Sequence, residues 1–196
     1  MTLNIIKTIF LTGLLSLIIG CSNNAYIAKT DIDINNINNN GIAVMSLNLE
    51  GTPKGFHYII KSMNSGITFK IPEYTMAEGL LPMLPTDFDG VKAKIIALNL
   101  PAGRYAFTEW FSTACNQYGS CTTQGSKKDF PIFFDVQEKS VTYIGELSQT
   151  NIYSFIFITK SDISIQDKSE RDIPVFLSKY KKINSETIKT NLAHNN

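Results

Sequence analysis

Apolar and polar positions alternate from residue 41 onward, which predicts β-strands. Ala43, Met45, Leu47 and Leu49 fall on one face of the first candidate strand. Successive side chains of a strand point to opposite faces, so a period of two is typical of a strand with one buried face. Similar runs, separated by turn residues, follow at 56–63, 67–71, 91–100, 104–112, 130–136, 141–147 and 152–158. The pattern predicts an all-β fold, a single antiparallel β-sandwich.

The spacing of apolar residues changes near the C-terminus. Phe176, Tyr180 and Ile183 recur at i, i+4 and i+7, which is the spacing of one helix face. Asp172 stands just before this stripe and is a typical helix-capping residue. We therefore predict one short helix over residues 173–183, packed against the sandwich.

The first twenty residues have the features of a secretory signal. Lys7 precedes an uncharged apolar run over residues 9–19, which is shorter than the roughly 20 residues of a spanning helix. Residues 17–21, LIIGC, resemble the lipobox of bacterial lipoproteins. In that family the signal is cut before the cysteine, here between Gly20 and Cys21, and acyl chains are added to the cysteine. The alternative is an ordinary signal peptide, or an uncleaved anchor, with a coincidental cysteine.

The predicted organisation has four parts. They are a signal peptide (1–20), a lipidated, disordered Asn-rich tether (21–40), the sandwich with its helix (41–183) and a flexible tail (184–196). The tether is expected to be disordered because few large apolar side chains are present to offset the entropy of ordering. Ser22 follows the cysteine where inner-membrane lipoproteins often carry Asp. The resemblance therefore implies an anchor in the outer membrane, facing the periplasm.

Two further cysteines, Cys115 and Cys121, flank a short loop that contains Gly119. An oxidising periplasm permits them to pair, and we predict a structural disulfide. Two free thiols are the alternative. Their spacing differs from the Cys-x-x-Cys motif of thiol oxidoreductases and no histidine lies nearby, so a redox or metal role is not favoured.

Part of the chain resembles a second group of proteins. Residues 98–107, LNLPAGRYAF, are similar to a phrase of transthyretin-like (prealbumin-like) β-sandwiches, in which a strand ends in a Pro-x-Gly turn and a strand with an early Tyr returns. Residues 134–136 (FDV) and 141–147 (VTYIGEL) resemble the next phrase of small envelope lipoproteins of that group. The resemblance covers roughly 41–180, and its specific part is 98–147. It implies the fold and the envelope location, and it transfers no catalytic residue.

Two residues interrupt the strand pattern. Glu109 shares its predicted face with Tyr105, Phe107 and Phe111, so we expect it at an edge or a strand end. Gly145 is expected to mark a bulge or a close approach of strands.

The content of charges and motifs disfavours several function classes. Removal of the predicted signal peptide takes away Lys7, which leaves 17 of the 18 basic residues against 17 acidic ones and a formal net charge of zero. The sequence contains no basic stripe that would suggest a nucleic-acid partner. Motifs of serine hydrolases, zinc proteases and phosphate-binding loops are lacking. We interpret His57 as a buried, hydrogen-bonded residue of an apolar strand, and Asp87 with Asp89 as a solvated turn. No catalytic residue and no cofactor is predicted.

One segment begins like a calcium loop. Asp31, Asp33 and Asn35 have the spacing of its first three ligands. Such loops also need Gly at position six and Glu at position twelve, where this chain has Asn36 and Ile42. We therefore predict no metal site.

The sequence favours a non-catalytic binding or assembly module that presents a loop surface to another envelope protein. The candidate surface consists of Tyr74, Phe88, Trp110 and Tyr118, because aromatic residues are enriched at interfaces. The alternative is that these residues cap the ends of the sandwich core. An envelope enzyme of unrecognised type, acting on cell wall or glycan, and a small-ligand carrier are the other function classes left open.

Overall fold

The computed structural model describes residues 26–48, 55–71, 74–75, 86–91, 93–115, 121–126, 131–154 and 157–195. Only the backbone is described at 55–56, 74–75, 112–115, 121–124, 126, 151–154 and 157–162. Over these residues the chain forms twelve strands and one α-helix. The strands are β1 (Asn40–Asn48), β2 (Gly55–Ser62), β3 (Thr68–Lys70), β4 (Tyr74–Thr75), β5 (Ala93–Pro101), β6 (Gly103–Cys115), β7 (Cys121–Ser126), β8 (Ile132–Val136), β9 (Val141–Ser154), β10 (Phe157–Gln166), β11 (Ile188–Thr190) and β12 (His194–Asn195). The helix, α1, spans Ser169–Lys179.

The strands form two sheets, which confirms the predicted all-β fold. The first sheet has the order β10-β9-β1-β5, with β11 also paired to β9. The second has the order β12-β8-β6-β2-β3, with β4 on β2 and β7 on β6. The prediction of a purely antiparallel sandwich is wrong for the first sheet, because β9 runs parallel to β1 and to β11. β8 lies in the other sheet, and the chain returns from it to the end of the first sheet where β1 begins. β9 therefore starts at that end and runs in the same direction as β1.

Alternate side chains of each strand face the space between the two sheets and form the core. On β1 these are Ala43, Met45 and Leu47, as the sequence pattern predicts. Aromatic residues of the second sheet fill the space opposite them. Phe134 lies at the centre, with ring centroids 5.5 Å from Tyr105 and 5.3 Å from Phe107.

A third layer covers the outer face of the first sheet. Ile42 and Val44, on the other face of β1, pack in a second apolar cluster with Phe176, Tyr180 and Ile183. The predicted apolar stripe is thus confirmed, but the helix begins four residues earlier and ends four residues earlier than the predicted 173–183. No helix within the described ranges has both the length and the apolar content needed to cross a membrane.

The predicted tether is wrong for residues 26–39, which lie against the sandwich. The backbone nitrogen of Ala28 donates to Ala97 O at 2.9 Å, and Asn99 N donates to Tyr26 O at 2.6 Å. Ile34 is 6% exposed within the second cluster. The segment therefore satisfies part of the outer edge of β5, a position where an open edge would invite pairing with another chain. The apolar residues of this segment are widely spaced among asparagines. They are sufficient to hold the segment because they pack on a surface that the sandwich already provides.

The predicted flexible tail is likewise wrong for residues 188–195. β11 pairs with β9 over Ile188–Thr190, and β12 pairs with β8. Ala193, between these strands, is 4% exposed, and its backbone nitrogen donates to Ile144 O at 2.9 Å. The tail extends the sheets because β9 has an open edge beyond the end of β10.

The Pro-x-Gly turn connects the two sheets. β5 pairs with β1 and β6 pairs with β2 and β8, so the strands on either side of the turn do not pair with each other. Gly103 has a φ of 154° at this corner. The hydroxyl of Tyr105 donates to Pro101 O at 2.7 Å, which ties the start of β6 back to the end of β5. A tyrosine bonded to the backbone a few residues upstream is a known stabiliser of sandwich corners.

Two bulges change which side chains face the core. Gly145, with a φ of 104°, lies where the β1–β9 register shifts, which confirms the bulge predicted there. On β6 the register with β2 shifts at Thr108. Beyond that shift Trp110 is buried in the core and Glu109 is only half-buried. Glu109 thus lies mid-strand, and the prediction of an edge or strand-end position is wrong because the bulge turns it away from the core.

Candidate functional site

A cluster of polar side chains lies where α1 meets the first sheet. It consists of Ser46 from β1, Tyr143 and Glu146 from β9, and Arg171 and Asp172 from α1. We call these five residues the polar cluster. Ser46 belongs to the β1 face that carries Ile42 and Val44, so it faces the helix. The bulge at Gly145 is what places both Tyr143 and Glu146 toward the helix.

Asp172 is the centre of the polar cluster. Its Oδ2 accepts hydrogen bonds from the Ser46 hydroxyl at 2.5 Å and from the Tyr143 hydroxyl at 2.7 Å. Its Oδ1 accepts from Nε of Arg171 at 2.7 Å. Arg171 also donates through Nη2 to Glu146 Oε2 at 2.6 Å and to Ser46 Oγ at 3.2 Å. Every buried oxygen of Asp172 therefore has a partner, as a buried carboxylate requires.

The cluster is closed toward the sheet and open only at the arginine. Asp172 and Ser46 are fully buried and Glu146 is 2% exposed, whereas the Arg171 side chain is 28% exposed. Burial and then the hydrogen bond to Asp172 raise the pKa of Tyr143 above its usual value. Burial opposes the charge on Arg171, but the bonds to Glu146 and Asp172 outweigh it and raise the pKa of Arg171.

The arrangement holds the helix in place. The Ser46 hydroxyl is committed to a carboxylate and lies fully buried, so a substrate has no path to it. The guanidinium of Arg171 lies 4.4 Å from the ring centroid of Phe88, which adds a cation–π contact with the 86–91 turn. We therefore interpret the polar cluster as the lock between α1 and the first sheet.

The prediction of a solvated turn is wrong for Asp87. Its Oδ2 accepts from the backbone nitrogen of Ile95 at 2.8 Å, and its Oδ1 lies 2.5 Å from Nζ of Lys179. The Asp87 side chain is 9% exposed, whereas Asp89 is exposed as predicted. Asp87 thus joins β5 to the C-terminal end of α1, where a lysine also suits the helix dipole.

His57 is half-buried rather than fully buried. Its ring stacks on Phe111, with ring centroids 4.7 Å apart and an interplanar angle of 22°. Both residues lie on the outer side of the second sheet, as a cross-strand pair of β2 and β6. A hydrogen-bonded pair of polar side chains lies inside the core, where the Tyr58 hydroxyl donates to Gln149 Oε1 at 2.8 Å.

The predicted aromatic partner surface does not form as one patch. Trp110 is 7% exposed and belongs to the core between the sheets. Phe88 packs under Arg171 on the outer side of the first sheet. The side chain of Tyr74 and the whole of Tyr118 lie outside the described residues. The prediction is therefore wrong for Trp110, and the alternative of a core-capping role holds for it.

The remaining predicted sites are only partly described. Cys115 and Cys121 are directly opposite each other in the β6–β7 pair. No disulfide occurs among the side chains that the structure describes, and those of Cys115 and Cys121 are not among them, so the disulfide stays a prediction. Gly20 and Cys21 lie outside the described residues.

The segment that begins like a calcium loop has a structural role. Asp33 caps a short 3-10 turn over Ile34–Asn36 by accepting from the backbone nitrogen of Asn35 at 2.9 Å. Within the described ranges, no three His, Cys, Asp or Glu residues come close enough together to hold a metal ion.

Sequence reasoning missed the polar cluster. Asp172 was predicted to cap the helix, but the helix begins at Ser169 and Asp172 is buried in its first turn. Ser46 carried a signal, since it follows Ile42 and Val44 on the second face of β1. Glu146 carried none, because simple alternation along β9 places it on a face with Thr142 and Ser148. What joins them is the pairing of β1 with β9, which local patterns do not determine.

Comparisons with known proteins add little. No protein-family model matches the chain, and no curated protein matches it. A leucine-rich repeat protein from Bacteroides thetaiotaomicron, solved by crystallography, is similar over 56% of this chain and 14% of its own length, with 12% identity and a TM-score of 0.31. At that score the similarity carries no argument about fold or function.

Proposed function

We propose that this protein is a lipid-anchored module of the cell envelope, which binds or helps to assemble another envelope protein without catalysis. The lipobox-like residues at 17–21 supply the anchor at Cys21. The transthyretin-like type of sandwich is part of the proposal, and the corner formed by Pro101, Gly103 and Tyr105 supports it. The outer membrane, facing the periplasm, is the proposed location.

One observation carries the proposal: the N-terminal segment and the β6–β7 hairpin lie at opposite ends of the sandwich. Tyr26 is bonded to Asn99 near the end of β5, next to the start of β6 at Gly103. β6 then runs for 13 residues to Cys115, which corresponds to roughly 40 Å at the rise of a strand. A lipid on Cys21 would hold the Tyr26 end near the membrane and direct the hairpin away from it.

This geometry suits the presentation of a binding loop. The loop between Cys115 and Cys121 joins β6 to β7, which six residue pairs hold in register, and β2 pairs with the other edge of β6 as far as Thr113. Trp110 anchors the base of the β6–β7 hairpin in the core. A partner would thus meet a loop on a rigid support, which lowers the entropy lost on binding.

The other function classes have less support. A small-ligand carrier needs a cavity, whereas the interior between the sheets is occupied by packed rings such as Tyr58 on Phe107, with centroids 6.0 Å apart. An envelope enzyme that acts on glycans would need carboxylates available to a substrate, whereas the carboxylate of Asp87 is committed to Ile95 and Lys179.

Photocrosslinking in intact cells tests the proposal. A photoreactive residue replaces Tyr118 in the loop, and a control replaces Lys181, which is exposed near the end of α1. We expect a specific envelope protein to be captured from position 118 and not from position 181. Capture from neither position, or equal capture from both, would count against a loop-presented partner.

The anchor is tested separately with Cys21→Ala. In the lipoprotein family the cysteine is both the cleavage signal and the lipid acceptor, so we expect the variant to stay unprocessed or to leave the membrane. Metabolic labelling with a fatty acid should mark the parent protein and not the variant. A variant that is cleaved and membrane-bound like the parent would contradict the anchor.

A further inference from the structure

Two large apolar side chains project into solvent at one end of the second sheet. Met63 is 50% exposed and Ile67 is 57% exposed, and they are the exposed large hydrophobic residues among the described side chains. Both belong to the turn between β2 and β3. We call residues 63–67 the hairpin tip.

The hairpin tip is held by hydrogen bonds, which keeps these side chains outward. Ser62 N donates to Ile67 O at 2.8 Å, and Gly66 N donates back to Ser62 O at 2.9 Å. Met63 N donates to Arg104 O at 2.8 Å, which fastens the tip to the start of β6. Gly66, with a φ of 73°, supplies the left-handed residue that the turn needs. Exposure of Met63 and Ile67 is therefore a property of a defined turn.

The hairpin tip lies at the end of the sandwich where the N-terminal segment begins. The ring of Tyr26 packs on the ring of Phe69, two residues after Ile67, with centroids 5.5 Å apart. Phe69 in turn lies 6.2 Å from the ring of Tyr105 at the sheet corner. Cys21 precedes Tyr26 by five residues, which span at most about 18 Å of extended chain. A lipid on Cys21 would therefore bring the bilayer within reach of the hairpin tip.

The charges around the hairpin tip suit an anionic lipid surface. Residues 61–70 contain Lys61 and Lys70 and no carboxylate, and both lysines are exposed. Lysines close to a negatively charged membrane are attracted to it over a distance of about one Debye length. An apolar tip flanked by cations is the arrangement of a segment that enters the boundary between headgroups and acyl chains.

We propose that the hairpin tip is a membrane-contact site, in which Met63 and Ile67 insert into the interface of the bilayer that holds the lipid of Cys21. The inference rests on the proposed lipid anchor and deepens it. The sandwich is then held at two points, the lipid and the tip, which fixes its orientation with the β6–β7 hairpin pointing away from the membrane.

Quenching by brominated lipid tests this site on the full, lipidated protein. Ile67→Trp places a fluorophore at the hairpin tip, and Asp89→Trp places one at an exposed position of the 86–91 turn, near the other end of the sandwich. The parent protein, whose single tryptophan is Trp110 in the core, supplies the background emission. Each protein is reconstituted in vesicles of phosphatidylethanolamine and phosphatidylglycerol, with and without bromine on the acyl chains.

We expect bromine to remove roughly half of the emission added by Ile67→Trp, because side chains at this interface lie about 5–10 Å deep. The emission added by Asp89→Trp should not change. If the protein floats with the vesicles and both emissions are insensitive to bromine, the anchor holds and the membrane-contact site is wrong, which leaves a protein as the occupant of the tip. If the lipidated protein does not float with the vesicles, the anchor itself fails and the contact site fails with it.

Discussion

The hydroxyl of Tyr143 donates a 2.7 Å hydrogen bond to the fully buried carboxylate of Asp172 and thereby joins β9 to α1. The same oxygen accepts from Ser46, and the other carboxylate oxygen accepts from Arg171. One side chain thus links the helix to two strands that are far apart in sequence. The helix needs such a link because 11 residues do not form a stable isolated helix in water.

Replacing Asp172 by Asn tests this lock. The variant keeps the shape of the side chain but leaves Arg171 with Glu146 as its only charged partner. It also replaces one of the two accepting carboxylate oxygens by an NH₂ group, which cannot accept a hydrogen bond from Arg171 or from the two hydroxyls. We expect a loss of about 2–4 kcal/mol in the free energy of unfolding, toward the lower value because Arg171 is partly exposed. Urea denaturation followed by circular dichroism measures it.

Glu170→Gln is the matched control. It removes one carboxylate from the same first turn of α1, but Glu170 is exposed. The variant should change stability by no more than about 0.5 kcal/mol. If both variants unfold at the same urea concentration, the polar cluster adds nothing beyond the effect of charge on the helix dipole.

The apolar pattern predicted most of the fold, while the polar cluster was not predictable from it. Ala43, Met45 and Leu47 face the core as the period of two requires, and Phe176 with Tyr180 forms the helix stripe. These features are local. The bulges and the parallel pairing of β1 with β9 depend on contacts between distant segments, and they decide which residues meet.

The residues 26–39 show a second limit of sequence reasoning. Their composition, rich in Asn, is typical of a disordered segment. Ala28 and Ile34 are nevertheless buried, because the open edge of β5 and the face beside α1 provide a surface ready to receive them. The composition of a segment does not report the surface that lies next to it.

Stability should fall in alkaline solution because buried tyrosines resist ionisation. Burial raises the pKa of Tyr58 in the folded protein above its usual value near 10. The folded state therefore retains a proton that the unfolded chain releases, and the stability that this group contributes is full below pH of about 10 and is lost as the pH rises further. Each such group contributes a slope of up to about 1.4 kcal/mol per pH unit.

Tyr58→Phe should reduce this slope by the contribution of one group. At neutral pH the variant should be less stable by about 1–2 kcal/mol, because Gln149 loses the hydrogen bond from the hydroxyl. Urea denaturation from pH 8 to pH 11 compares the two proteins. Parallel pH profiles would mean that Tyr58 ionises in the folded state as it does in water.

Gly41 is required for the approach of β1 to the end of β8. A Cβ atom at this position would overlap the carbonyl oxygen of Gln137 and would lie 2.9 Å from Cγ1 of Val136. Gly41→Ala should therefore cost about 3 kcal/mol, since backbone must move to make room. Gly66→Ala, at a φ of 73° with open space around it, should cost only about 1 kcal/mol of strain. Thermal unfolding of both variants ranks them, and the reverse order would contradict the close approach.

The burial of Trp110 predicts both a spectrum and a stability effect. As the single tryptophan of the chain, it should emit at a shorter wavelength than free tryptophan and resist quenching by iodide until the protein unfolds. Trp110→Ala should destabilise the fold by about 3–5 kcal/mol, as for other large core residues. Met63→Ala, at an exposed position, should lie within about 0.5 kcal/mol of the parent. If iodide quenches the emission of the folded protein, Trp110 is exposed at the surface and its assignment to the core is wrong.

The register of β6 and β7 gives the predicted disulfide a geometric basis. Cys115 and Cys121 are directly opposite each other, and opposed residues of antiparallel strands have Cα atoms about 4.5–5.5 Å apart, within the range that a disulfide spans. We expect the exported protein to carry the bond and to lose about 2 kcal/mol of stability on reduction, because the closed loop is short. Alkylation before and after reduction, followed by mass spectrometry, should show that both thiols become reactive only after reduction. A double variant, Cys115→Ser with Cys121→Ser, should match the reduced parent and be insensitive to reductant; alkylation of both cysteines without reduction would exclude the bond.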